Sequence, residues 1–291
     1  MLESVPNVSE GRDRAAIAAI GDAFAGRARV LDVHSDADHH RSVFTLVADD
    51  AALADALVAG IARAAELIDL RAHDGIHPRV GAADVVPVVP LVPGDMPLAV
   101  ATARAVGERV GEELGIPVFL YAQSGGGRPP AFFRRGGPEE LQRRVDAGEV
   151  RPDFGPARLH PTAGAVLVGA RPLLVAFNLE LERGDLEDAR AIAAAVRGSS
   201  GGMAGVQALG LQLPRSGRIQ VSLNIVDVEK ASLADVVARV RKEAARRGAV
   251  VGNGELVGLL PECEVADPAA LALVSLPDDR ILERVIEAPA R

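Results

Sequence analysis

One cysteine, Cys263, one tyrosine, two lysines and no tryptophan occur in this chain of 291 residues. A lone cysteine cannot form an intramolecular disulfide, which excludes an oxidised scaffold and a four-cysteine zinc site. A reducing compartment is therefore expected. Basic residues are in deficit as well: 32 Lys and Arg against 40 Asp and Glu leave a formal net charge of -8. No dense positive face is available for phosphate contact, so no nucleic-acid partner is expected. Long apolar runs are missing, because VVPVVPLVPG at 85–94 is broken by prolines and other runs by charges such as Arg171. No membrane span is expected. The opening residues 1–6 lack the basic-then-apolar order of a signal peptide and lead into Glu10, Arg12, Asp13 and Arg14, so the expected location is cytoplasmic. What remains, 48% hydrophobic and 25% charged residues, is the composition of a soluble globular protein with enough chain for two cores.

The second half shows the clearest patterning. RIQVSLNI at 218–225 puts Ile219, Val221, Leu223 and Ile225 on one face and polar residues on the other, which predicts a half-buried strand. Leu209, Leu211 and Leu213 alternate ahead of PRSG at 214–217, so the two runs predict a hairpin. Ser232 and Asp235 form a capping-box pattern before Leu233, Val236, Val237, Val240 and Ala244 at helical spacing. With a strand at 173–180, a helix at 185–197 and an apolar run at 249–258, the order is βαββαβ, the ferredoxin-like split motif. The first half repeats that order with strand 2–7, helix 12–25, strands 28–33 and 42–48, helix 50–68 and strand 85–92. It continues with a helix at 95–114 and a strand at 117–121, then a polar stretch to about 160. The fold class expected is α/β, an α+β sandwich of two ferredoxin-like subdomains, 1–170 and 171–291. The segment AQSGGGRPPAFFRRGG at 122–137 predicts a long loop, and the tail from 265 one or two helices.

Five of the six histidines, His34, His39, His40, His73 and His77, fall between residues 34 and 77, and the sixth is His160. Histidine suits proton transfer near neutral pH and also binds metals. The two clusters, HSDADHHRS at 34–42 and RAHDGIHPRVGAAD at 71–84, lie on connections that a βαββαβ unit can bring to one sheet edge. His77 stands out because Pro78 constrains its backbone and Gly75 and Gly81 permit close approach of a ligand. Asp74 is a candidate to orient its ring. A metal-hydrolase alternative would use His39 or His40, His73 and His77, with Asp36, Asp38 or Asp74, as ligands. No motif such as HExxH supports it, and no metal is expected. GGG at 125–127 lacks a following Walker pattern and reads as a flexible loop. Arg128, Arg134, Arg135, Arg143, Arg144, Arg151 and Arg158 form a basic segment that suits carboxylates or a solvated helix face around 138–147.

Taken together, VPNVSEGRD at 5–13, HHRSVFTLV at 39–47, LIDLRAHDGIHPRVGAADVVPVVPL at 67–91, PDFGP at 152–156, LLVAFNLEL at 173–181, IQVSLNIVD at 219–227 and ELVGLLP at 255–261 resemble the glutamate formiminotransferases. The resemblance runs in order along nearly the whole chain. It implies transfer of a formimino group from formiminoglutamate to tetrahydrofolate in histidine degradation and one-carbon metabolism. It also implies two α/β subdomains with a ligand groove between them, and a homodimer; the cyclodeaminase part of the animal enzymes is not included in this length. The family's catalytic histidine corresponds to His77 in GIHPRVG. Its folate-binding segment corresponds to Gly155, Pro156, Ala157, Arg158, Leu159, His160, Pro161, Thr162, Ala163 and Gly164. Where the family has asparagine before the arginine of its NR[ST]V motif, this chain has His40, and 121–138 matches the family poorly.

The resulting expectation is a metal-free transfer with His77 as base and then acid. Arg41 and Arg79, with His40, are expected near the carboxylates of the donor, and tetrahydrofolate is a co-substrate, not a resident cofactor. The alternatives are a folate-binding relative with another one-carbon donor or no turnover, and the metal-dependent amidine hydrolase.

Overall fold

The computed structural model describes residues 1–75 and 77–289, and the chain divides into two compact units, Met1–Arg171 and Pro172–Arg291. Unit 1 opens with β1 (Leu2–Ser4) and β2 (Asn7–Val8), two pieces of the single strand expected at 2–7. Pro6, which has no N–H to give a sheet, separates them, while its carbonyl still accepts from Phe44 N–H at 3.0 Å. Next come α1 (Arg14–Ala25), β3 (Arg29–Asp36), β4 (Arg41–Ala48), α2 (Asp50–Leu67) and β5 (Ala83–Pro90). Asp13 caps α1 by accepting from the N–H groups of Ala15 and Ala16, and Ile17, Ile20 and Phe24 bury its inner face. The strand order β3–β4–β1/β2–β5, antiparallel throughout, is the ferredoxin-like arrangement.

The chain then adds α3 (Met96–Glu113), β6 (Val118–Leu120), α4 (Pro130–Arg134), α5 (Gly137–Asp146) and β7 (Val166–Ala170). β7 corrects the sequence expectation, which assigned no strand there: it inserts between β5 and β6, parallel to both. The short run at 165–170 offers no alternation, because both faces of β7 are covered. The long loop expected at 122–137 is also corrected. It holds a 3-10 turn, Ala122–Ser124, and α4, which starts at Pro130 and anchors on the buried Phe133, 5.3 Å from the Phe119 ring. β5 is buried along its whole length. Val86 and Val88 face α1–α3, and Val85 faces the small core made by Phe119, Phe133, Leu141 and Leu167.

Unit 2 consists of β8 (Val175–Arg183), α6 (Leu186–Val196), β9 (Val206–Gln212), β10 (Ile219–Ile225), α7 (Leu233–Arg246) and β11 (Val250–Val257). The order β11–β8–β10–β9 is again ferredoxin-like and antiparallel. Val221, Leu223 and Ile225 are buried as their alternation requires, and Ser232 accepts from Asp235 N–H at the start of α7. The tail from 265 forms, among the described residues, a 3-10 turn, Asp278–Arg280, and one helix as expected, the six-residue α8 (Leu282–Glu287), with Pro268 and Pro277 interrupting what precedes them.

Register decides where the chemistry of unit 1 gathers. Asp36 pairs with Arg41, and Val8 pairs with Ser42 and Ala83. The loops that follow β2 and β3, and those that precede β4 and β5, therefore share one end of the sheet.

Candidate active site

Three segments meet at that end, the loops after β2, between β3 and β4, and before β5, and hydrogen bonds tie them together. Ser9 donates its N–H to Ala82 O and its hydroxyl to Gly81 O, both at 2.8 Å, while Ser42 Oγ donates to Glu10 O at 2.6 Å. Arg12 clips the same loops, with Nε on Ala37 O at 3.0 Å and Nη1 on Asp74 Oδ1 at 2.5 Å. Glycine permits the approach: a Cβ on Gly11 would collide with the backbone of Asp36 and Arg41, and one on Gly75 would stand 2.5 Å from His39 O.

His77 is half-buried at the centre of this cluster. Its Nε2 lies 2.7 Å from Arg41 Nη1. A guanidinium only donates, so Nε2 is the acceptor and the ring proton sits on Nδ1. Burial pushes the imidazole pKa well below its ordinary value, and the charges of Arg41 and Arg134, then His39 and Arg79, push the same way. His77 is thus a neutral imidazole at neutral pH, with its basic nitrogen covered by an arginine.

Arg134 reaches this environment from α4. It is held by the buried Asp84 of β5, whose second oxygen accepts from Val80 N–H at 2.6 Å. Sequence reasoning counted Arg134 only within a basic segment and missed Asp84 altogether. The FFRR that follows a proline pair was the available signal. Arg143 pairs instead with Glu140 and Glu149 on the surface of α5. Arg144 is buried, donating to Phe132 O at 2.7 Å with its guanidinium 4.5 Å from the Phe132 ring. Arg79 is half-buried and donates to Gly75 O.

The neighbouring histidines divide by partner. His39 is buried, with Nδ1 3.1 Å from Asp36 Oδ2 and its ring edge-on to His77 at 6.4 Å between centroids. Burial acts to raise the Asp36 carboxyl, but hydrogen bonds from the His39 ring and backbone and from Asp38 outweigh it and hold it below the usual range. His40 stacks on His73 at 4.2 Å, and Gly11 N–H donates to its Nδ1 at 3.1 Å. Both nitrogens of His73 are committed to backbone: Nε2 to His40 O at 3.0 Å and Nδ1 to Gly75 N–H at 3.1 Å. Burial, with help from Arg79, lowers its pKa to about 4. A metal ligand needs a lone pair that this ring has already placed. Among the described residues no three His, Cys, Asp or Glu side chains are arranged to hold a metal ion.

Asp74 requires correction. Expected beside the His77 ring, it is exposed and paired with Arg12; the group hydrogen-bonded to His77 is Arg41.

The segment 155–164 runs past the starts of β6, β7 and β5. Gly155 packs on Gly111, close to Ile116 O. Pro156, Ala157 and Arg158 are exposed, and Gln142 holds Leu159 N–H at 2.8 Å. His160 and Gly164 exchange backbone bonds of 2.9 Å around Pro161, Thr162 and Ala163, and His160 Nδ1 accepts from Ala163 N–H at 3.0 Å. That turn is bonded to the strand beyond His77, through Ala82 N–H to Ala163 O and Ala165 N–H to Val80 O, each 2.9 Å.

No helix of the described residues is long and apolar enough to cross a membrane. The model of the formiminotransferase domain, N-terminal subdomain, matches residues 1–171, and that of the formiminotransferase domain matches 176–274. A glutamate formimidoyltransferase of Thermoplasma acidophilum is 42% identical, covering 100% of this chain and 98% of its own. Another, of Streptococcus pyogenes serotype M1, is 40% identical over 92% of each chain. The formimidoyltransferase-cyclodeaminase of Rattus norvegicus is 36% identical over 93% of this chain, which corresponds to 52% of the rat protein. With both of its units matched, the chain belongs to the formiminotransferase family.

Proposed function

We propose that this protein transfers the formimino group of N-formimino-L-glutamate to tetrahydrofolate, giving formimino-tetrahydrofolate and L-glutamate. The observation that carries this reading is the match to a glutamate formimidoyltransferase along the whole of this chain and 98% of the relative. The site geometry supports it with a neutral imidazole among arginines, suited to moving a proton beside a carboxylate-bearing substrate.

In this reading the donor enters as its amidinium cation. The secondary amine of the reduced pterin attacks the amidinium carbon, a C–N bond forms, and His77 Nε2 takes the proton that the amine loses. The tetrahedral adduct carries two further nitrogens. Collapse breaks the bond to the glutamate nitrogen, which receives the proton back from His77, and the amidinium is regenerated on the folate. His77 ends neutral, as it began. Arg41 and Arg79 take carboxylates of the donor, and loop closure around them supplies orientation. Folate lies along 155–164, where the tight backbone admits a flat ring and the exposed Arg158 is available to its glutamate tail. His40 acts here by packing on His73 and setting the loop that carries Arg41.

The experiment is a turnover assay of purified protein with tetrahydrofolate and formiminoglutamate, detecting product after acid conversion to the methenyl form. Product formation is expected; tetrahydrofolate binding without product would leave a folate-binding protein and overturn the transfer.

A further inference from the structure

We propose that Asp84, locked by Arg134 from α4, is a positioning residue for His77: it fixes the chain just beyond the base, so the arm inserted after β5 belongs to the machinery of transfer. The inference rests on the reading of His77 as the proton acceptor and adds the groups that hold it in place. Asp84 stands in β5 with its side chain 3% exposed. One carboxylate oxygen accepts from Val80 N–H at 2.6 Å, and the other pairs with Arg134 Nη2. Val80 is buried too, and its carbonyl accepts from Ala165 N–H at 2.9 Å. Its N–H and C=O are thus both committed, three residues after His77, with Pro78 restricting the chain between them. The loop is also held before the base, where Gly75 N–H donates to His73 Nδ1 and Gly75 O accepts from Arg79. A base has to sit within hydrogen-bond reach of the proton it takes, so a small displacement of this loop is felt in the rate.

The chemistry of the pair suits geometry better than stability. Taking two charges out of water costs about as much as their attraction returns, and apolar side chains fill such a space equally well. A carboxylate, however, has two oxygens and can hold a backbone N–H and a guanidinium at once. Val80 precedes β5, which starts at Ala83, so Asp84 supplies an acceptor that the strand pairing does not. The guanidinium is brought there by packing. Phe133, beside Arg134, is buried with Phe119, Val85 and Val80 itself, and among the described residues the buried Arg134 Nε meets no acceptor, which leaves Asp84 as the ion-pair partner of that side chain. The charge of Arg134 also faces His77, together with Arg41 of β4, His39 of the loop before it and Arg79 of the His77 loop, and with burial all of them oppose protonation of the ring. Loss of the lock therefore acts twice on His77: the loop shifts, and the ring becomes less confined and less surrounded by positive charge, which returns its pKa toward the ordinary value.

Three variants test the lock: Arg134→Met leaves Asp84 unpaired, Arg134→Lys keeps a donor and the charge, and Asp84→Asn turns an amide against the guanidinium. Amide hydrogen exchange read by NMR needs no turnover. The Val80 amide should exchange at least about tenfold faster in Arg134→Met than in the wild type, a loss of local protection, while the amides of Ala82 and Phe44, bonded to Ala163 O and Pro6 O, keep their rates. Equal acceleration at all three amides would show a general loss of stability and overturn the positioning role. In turnover, Arg134→Met and Asp84→Asn should lower kcat about 100-fold, the scale of a misplaced catalytic group, with KM for formiminoglutamate and tetrahydrofolate within about twofold of the wild type. Arg134→Lys should recover most of that loss. A raised KM with unchanged kcat would make Arg134 a substrate anchor and overturn the proposal, as would wild-type kcat in Arg134→Met. If Asp84→Asn does not fold, the two Arg134 variants decide, because the carboxylate stays beside Val80. Failure of the wild type to use formiminoglutamate would count against the proposed function itself, and the exchange of the Val80 amide still decides whether the pair holds the loop.

Discussion

All six histidines lie in unit 1, whereas unit 2, with the same ferredoxin-like strand order, contains none in 172–291. Both units pack a sheet of the same ferredoxin-like strand order against helices, so the scaffold itself does not account for the difference. Loops do. At one sheet end of unit 1, the segments after β2 and β3 and before β4 and β5 carry Arg12, His39, His40, Arg41, His73 and His77, and the additional α3–β6–α4–α5–β7 arm contributes Arg134 and the turn at 160–164. Core positions preserve the fold in both units, while reactive groups accumulate on loops held by one of them.

The largest effect expected from this contrast is kinetic. His77→Ala should lower transfer by about 10³-fold, the scale of a lost general base, and leave equilibrium binding of tetrahydrofolate nearly unchanged. An equal loss of both would make His77 a binding residue. A core change in the other unit should act on stability alone. Phe177→Ala, at a fully buried position between β8 and its neighbours, is expected to cost about 3 kcal/mol, read by urea unfolding and by hydrogen exchange. Protection lost only in unit 2 would sharpen the division into two units; equal loss in both would break it.

The two units should also respond to pH with opposite signs. His73 titrates at about 4 in the folded protein against an ordinary 6.5, so between those values the unfolded chain binds the extra proton. Its contribution is complete above pH 6.5 and is lost as pH falls toward 4, by about 1–2 kcal/mol given its partial exposure. His77, also depressed, adds in the same direction. His73→Gln should flatten the decline in unfolding free energy between pH 7 and 5. In unit 2 the buried Glu264 accepts from Leu233 N–H at 2.5 Å, yet burial raises its carboxyl pKa, with Asp235 adding to the rise. Its stabilisation is complete below the ordinary glutamate range and is lost as pH rises through the elevated value. Glu264→Gln keeps an acceptor and removes the charge, so a gain of about 1 kcal/mol or less is expected near neutral pH. A loss there would show that the carboxylate's attraction for the α7 N-terminus outweighs its burial.

Much of the fold was legible because period and capping are local. The alternation at 218–225, the apolar stripe of α1 and the Ser232 cap each need only a few neighbouring residues. β7 was not legible, since a strand covered on both faces has no alternation to reveal it, and α4 was hidden within Gly, Pro and Arg because its anchor, Phe133, packs on Phe119 fourteen positions earlier. At the site, GIHPRVG singled out His77, but Asp74 was assigned to it on proximity in sequence alone. Its carboxylate instead meets Arg12, 62 positions away.

Residue order by itself determined the βαββαβ repeats, the lone cysteine and negative charge that narrow the class of protein, and the motifs that mark the family. Tertiary structure alone decided which groups touch. The Asp36 to Arg41 and Val8 to Ala83 registers carry Arg41 onto His77 across 36 positions, commit His73 to backbone, and bring Arg134 in through Asp84. A local pattern specifies which face of a helix or strand is buried. The partner of a buried polar atom depends instead on how separate elements are registered against one another, and that is set by the packing of the whole unit.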